Sequence, residues 1–133
     1  MPKTNNKLTI GNKLESIREK NRLSLEVVAH YLGISSDLLN AIEMNKDRVS
    51  TVLLERICEL YGCSSRDLLE QDIPQTIEYT HPLSDYIDDL PGIASINRIA
   101  INLLEIQRIM IIGEKFQKIH EKNGEELGEF KNN

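Results

Sequence analysis

His30, His81 and His120, with Cys58 and Cys63, are the side chains in this sequence best suited to ligating a metal or attacking a substrate. Their spacing argues against both. The three histidines fall in three different segments, the two cysteines stand five positions apart, and no His-x-x-x-His, Cys-x-x-Cys or glycine-rich phosphate loop occurs. His30 reads as a surface residue of a helix and Cys58 as a small core residue. Asp85, Asp88 and Asp89 form an acidic group that would hold a cation only weakly, and the reading preferred for them is a solvated loop. No catalytic residue, metal or cofactor is therefore expected, and enzymatic chemistry is the least favoured class.

The elements that must position any remaining chemistry follow from size and pattern. A chain of 133 residues with 40% hydrophobic and 28% charged side chains suits one domain, or one small domain with an appendage. Met1 to Ile10 has no apolar run of the kind a secretory leader carries, and the run Ile109 to Ile112 is far too short to span a bilayer. Two cysteines without a wider framework do not make a disulfide scaffold. A cytoplasmic protein with no membrane partner is expected. The formal charge of −5 gives no bulk attraction to nucleic acid, so binding of that kind would have to come from a local patch. Residues 1–72 hold ten Lys/Arg against eleven Asp/Glu, and residues 73–133 hold six against ten, so the acidity lies mostly in the second part.

Up to about Glu70, apolar residues recur at three- and four-residue intervals between helix start and stop signals, and five helices emerge. The first runs from Ile10 to Lys20. Ser24 caps the second, which carries Val27, Val28, Tyr31 and Leu32 and ends at Gly33. Gly33 supplies the positive φ of a tight turn, Ile34 tucks inward, and Ser35 caps a third helix bearing Leu38, Leu39 and Ile42. A polar connector, Asn45 to Arg48, leads to Ser50 and a fourth helix whose stripe is Val52, Leu53, Ile57, Leu60 and Tyr61. Gly62 stops that helix, and Ser64 or Ser65 caps a fifth with Leu68 and Leu69 toward the core. Beyond it, two prolines and the three aspartates predict a linker with at most one helical turn up to Pro91. Ile93, Ile96, Ile99, Leu103, Ile106 and Met110 then form one apolar helical stripe, which Phe116 and Ile119 would extend past an interruption at Gly113.

The span from Ile10 to Leu69 resembles the Xre family of helix-turn-helix regulators, the group of phage lambda-type repressors. The likeness rests on Ile10-Gly11, Leu14, Ile17 and Arg18, then Leu23-Ser24, then Ala29, Leu32, Gly33 and Ile34 through the turn. Ser35, Leu39, Ile42 and Glu43 in the third helix, and Leu53, Leu54, Ile57, Leu60, Gly62 and Leu68-Leu69, complete it. The resemblance implies an ion pair between Arg18 and Glu43 that clamps the first helix to the third. It also implies that the third helix enters the DNA major groove, with Ser36, Asp37, Asn40 and Ala41 toward the bases. Phosphate contacts would come from Lys13, Arg22, Ser24, Ser35, Lys46 and Arg48. Two departures are evident. Leu25 replaces the Gln that usually holds a phosphate, and Asp37 would be repelled by phosphates.

The helix around Ile96-Asn97-Arg98-Ile99-Ala100 resembles the C-terminal helix of Xre regulators encoded beside zinc metallopeptidases of the ImmA/IrrE kind, which implies a metallopeptidase or an anti-repressor as a regulatory partner. The whole is expected to be all-α: a five-helix lambda-repressor-like helix-turn-helix domain (8–70), an acidic linker (71–91), a C-terminal amphipathic dimerisation helix (92–120) and a frayed tail (121–133). An apolar face of this length must pack on something: dimerisation through Ile96, Ile99, Leu103, Ile106 and Met110 is the leading expectation, ahead of folding back on the first domain or receiving another protein. The resulting expectation is a homodimeric, sequence-specific transcriptional repressor on a palindromic operator. The alternative is a protein-interaction module, an antitoxin or anti-repressor adaptor, with weak or no DNA binding.

Overall fold

A computed structural model describes residues 9–71 and 73–131, with side chains described as far as Lys122. Among the described residues the chain is helical, without strands. The helices are α1 (Ile10–Lys20), α2 (Leu25–Leu32), α3 (Ser36–Glu43), α4 (Thr51–Tyr61), α5 (Ser65–Glu70) and α6 (Leu90–Lys131), with a 3-10 helix at Leu83–Asp89 before α6. Two compact units divide the chain, one ending at Ile101 and the other beginning at Asn102.

A hydroxyl residue caps each of the first five helices. Thr9, Ser24, Ser35, Ser50 and Ser64 accept from the backbone N–H three positions on, which satisfies a donor that the helix leaves unpaired. Gly33 and Gly62 close α2 and α4 in the left-handed region, at φ of 75° and 76°, which glycine adopts without steric cost. The enclosed core comprises Leu14, Ile17, Val28, Leu32, Leu39, Ile42, Ile57, Leu60 and Leu68 among others, drawn from all five helices.

Some apolar positions differ from the sequence expectation. Val52 is 69% exposed, because Leu54, Ile57, Cys58 and Tyr61 set the buried face of α4 and Val52 lies on its opposite side. Leu69 is half exposed while its neighbour Leu68 is fully buried, since α5 turns only one of the two inward.

The segment read as an acidic linker adds to the core instead of spanning free. Leu83 is buried and Tyr79 and Tyr86 pack on the same cluster, their rings 5.7 Å apart. The Ile77 N–H donates to the Gly62 carbonyl at 2.7 Å, and the Ser84 N–H donates to the Asn21 carbonyl at 3.1 Å. The first turns of α6 continue this packing through Leu90, Ile93 and Ala94. Asn97, fully buried, is the polar lock: its Nδ2 donates to the carbonyls of Glu59 and Leu60 at 2.8 and 3.1 Å, and its Oδ1 accepts from the Tyr79 hydroxyl at 2.6 Å. Those carbonyls sit at the C-terminal end of α4, where the helix leaves acceptors unpaired. The predicted apolar stripe therefore splits. Ile93 turns inward, whereas Ile96 and Ile99 are 57% and 59% exposed.

In the second unit, α6 passes through Gly113 without interruption and runs on to Lys131, while residues 132–133 of the expected tail lie outside the described residues. Phe116 and Ile119 do not extend the first stripe. At about 100° per residue they share a face with Ile109 and Ile112, roughly 130° around the helix from Leu103, Ile106 and Met110.

Candidate nucleic-acid interface

The geometry that presents α3 is built from its two ends. At its N-terminus, Gly33 reverses the chain, the Ile34 N–H donates back to the Ala29 carbonyl at 3.0 Å, and the Ser35 hydroxyl accepts from the Leu38 N–H at 3.1 Å. At its C-terminus, Arg18 grips Glu43 by two parallel bonds, Nε to Oε2 at 2.8 Å and Nη2 to Oε1 at 2.9 Å, while Nη1 donates to the Leu23 carbonyl at 2.9 Å. This fork satisfies both ions as they leave water, and the bond to Glu43 holds the Arg18 guanidinium above its ordinary pKa.

Gly11 lets α1 approach that same end. A Cβ there would lie 2.5 Å from the carbonyl oxygens of both Ile42 and Glu43, closer than any side chain tolerates. Asn45 completes the junction at φ 62°, accepting from the Gly11 N–H at 3.2 Å and donating to Thr9 Oγ1 at 2.7 Å.

With Leu39, Ile42 and Glu43 turned inward, α3 presents Asp37 and Asn40 as exposed residues, with Ser36 and Ala41 half-buried beside them. Met44, half exposed one turn beyond Asn40 and Ala41, belongs to the same face. The sequence reading missed it because a methionine at the end of an amphipathic helix reads as core. Among the cations expected at phosphates, Arg22, Lys46 and Arg48 are exposed and none is in an ion pair among the described residues. Ser24 is exposed at the start of α2, its hydroxyl accepting from the Val27 N–H at 3.1 Å.

Lys13 is a correction. It is 3% exposed, and its Nζ donates to the Leu68 carbonyl at 2.8 Å, so its charge serves the end of α5 and does not reach the surface. Leu25 is also absorbed by packing, being partly buried against the core cluster.

No group of His, Cys, Asp and Glu that could hold a metal ion exists among the described residues. Cys58 and Cys63 are buried free thiols, and the Cys58 thiol is pushed up by its hydrogen bond with Cys63 and by burial, which keeps it protonated and unreactive. Among the described residues no helix is long and apolar enough to cross a membrane.

Residues 9–71 match a protein-family model described as a helix-turn-helix domain. The chain thus carries a helix-turn-helix domain, consistent with the Xre type, followed by further helical sequence. Such domains are the DNA-contacting modules of regulators. No curated protein and no solved structure gives a significant match to the chain.

Proposed function

We infer that the protein is a sequence-specific DNA-binding transcriptional regulator, acting as a repressor by occupying a palindromic operator as a homodimer. One observation carries this reading: Asp37 and Asn40 are exposed on α3, and Arg22, Lys46 and Arg48, none in an ion pair among the described residues, stand exposed in the segments before α2 and after α3. In this reading Asn40 pairs with an adenine edge, Ser36 donates to or accepts from a base, Ala41 and Met44 offer apolar contact to a thymine methyl, and Asp37 accepts from a cytosine amine. Arg22, Lys46 and Arg48, with the capped starts of α2 and α3 at Ser24 and Ser35, hold the backbone. Ile96, Ile99, Leu103, Ile106 and Met110, all more than half exposed, pair two copies and set two recognition helices on half-sites roughly 34 Å apart.

Titration of the full chain into labelled duplex DNA at two salt concentrations tests the reading. Three cations per copy, six in a dimer, give a logarithmic salt slope of about −5. A flat salt response and no preferred site would contradict it. A second reading, a protein-interaction module of the antitoxin or anti-repressor kind, is favoured by the exposed carboxylate of Asp37 at the tip of α3 and by the loss of Leu25 to the core. That module would show the flat response.

A further inference from the structure

Residues 102–119 of α6 carry more apolar surface than one partner helix covers. At about 100° per residue, Leu103, Met110, Ile106, Ile109, Phe116, Ile112 and Ile119 follow one another in that order around an arc of about 200°. All seven are more than half exposed. Gly113 falls near the middle of the arc, where a Cβ would meet nothing within 4 Å, so the helix surface is open there to close approach. The opposite side carries Gln107, Arg108, Glu114, Lys115 and Lys118, with Leu104 and Ile111 among them. Inside the arc the polar residues are Asn102 and His120 toward the two ends, Gln117, and Glu105, which Arg108 holds at 3.6 Å from outside it.

The width of that arc bears on how many helices meet. A two-stranded seam uses a narrow stripe of a and d positions, whereas a helix in a bundle turns a broader face inward. Spacings of three and four put Ile96, Leu103 and Met110 at a and Ile99 and Ile106 at d of the pairing seam. Leu at d favours two strands, and Ile at d with Leu at a favours three or four. Area points the same way. Burying one large aliphatic side chain takes roughly 60–120 Å² out of water, so the five seam residues of each copy bring about 600–1,200 Å² together in a pair, at or below the smallest area usual for a stable interface. Ile109, Ile112, Phe116 and Ile119 would meanwhile stay in water on both copies. Arg108, Lys115 and Lys118 against Glu105 and Glu114 leave residues 102–119 nearly neutral, so further copies approach against little repulsion.

We propose that two such pairs associate through Ile109, Ile112, Phe116 and Ile119, so that four copies of this chain form a four-helix bundle with Gly113 near its axis. Four follows from symmetry: a two-fold pair presents two identical second faces, which a second pair matches and a single further copy does not. The contact between pairs depends on the seam within each pair, so loss of the seam releases single chains. The inference rests on the pairing seam of the regulator reading and not on its DNA contacts. On that reading one assembly carries four recognition helices and holds two operators at once.

Sedimentation equilibrium of the full chain without DNA, across micromolar concentrations, tests the bundle. The parent has the mass of four chains. Ile112→Gln with Phe116→Gln halves that mass to two chains, and Lys115→Gln with Lys118→Gln, on the opposite side of the helix, leaves it at four. The unfolding transition of the first unit stays as in the parent in both variants, because none of these side chains belongs to its core, and this separates dissociation from misfolding. A parent of two or three chains at every concentration, an Ile112/Phe116 variant that keeps four or falls to one, or dissociation of the Lys115/Lys118 variant would each overturn the proposal. A two-chain parent would leave the pairing of the regulator reading standing, whereas a one-chain parent would remove both. A four-chain parent that shows no preferred DNA site would count against the regulator reading and leave the bundle in place.

Discussion

The two units of this chain answer the same sequence signal in opposite ways. In residues 9–101, apolar residues at helical spacing close on one another, and Leu14, Val28, Leu39, Ile57, Leu60 and Leu68 have 1% exposure or less. In the helix from Asn102 onward, Leu103, Leu104, Ile106, Ile109, Met110, Ile111, Ile112, Phe116 and Ile119 are all more than half exposed. Each such side chain stands to gain about 1.5–3 kcal/mol on full burial, so the second unit exposes apolar surface whose burial would be strongly favourable. An apolar stripe fixes that a helix packs, and leaves open against what. The first unit resolves this with short capped helices that bring five stripes together, and a lone helix has no such means.

Substitutions that treat the two units differently sharpen the contrast. Glu43→Ala strands the Arg18 guanidinium beneath α3 and costs about 3–5 kcal/mol of stability in chemical denaturation, more than the Arg18→Met/Glu43→Leu double variant loses. Asn97→Ala leaves the Glu59 and Leu60 carbonyls and the Tyr79 hydroxyl unpaired. It costs about 2–3 kcal/mol, and limited proteolysis then cuts between Asp72 and Pro82 sooner than in the parent. Leu103→Asp, in the second unit, shifts stability by no more than about 0.5 kcal/mol, yet lowers the mass seen by light scattering to that of one chain. A large stability loss at Leu103 would break the comparison. Lys46→Ala with Arg48→Ala changes stability least of all, while DNA affinity falls evenly across sequences and the salt slope drops by about two per copy.

Much of the first unit was legible because its signals are local. Ser24, Ser35 and Gly33 declare their roles through capping and positive φ, and the Arg18–Glu43 fork follows from the resemblance that Ile10 to Leu69 carries. What was not legible depends on partners distant in sequence. Lys13 looks like any surface lysine until the Leu68 carbonyl arrives above it. Asn97 reads as a polar interruption in an apolar stripe, and its lock on α4 is invisible without the end of that helix. Segment 73–89 looks like a linker because its prolines and aspartates mask the buried Leu83 and the Tyr79–Tyr86 contact. Phe116 and Ile119 lie on another face than their spacing suggests, because steps of three or four counted past Gly113 lose phase around a helix.

The central claim is that the face of α3 carrying Ser36, Asp37 and Asn40 reads bases. Selection of the full chain on a pool of randomised duplexes, repeated with Asn40→Ala, tests it most directly. The account predicts enrichment of a two-fold symmetric site by the parent, and loss of preference at one base pair per half-site in the variant with the remaining positions kept. Enrichment of no site by the parent, or an identical site from the variant, would contradict it.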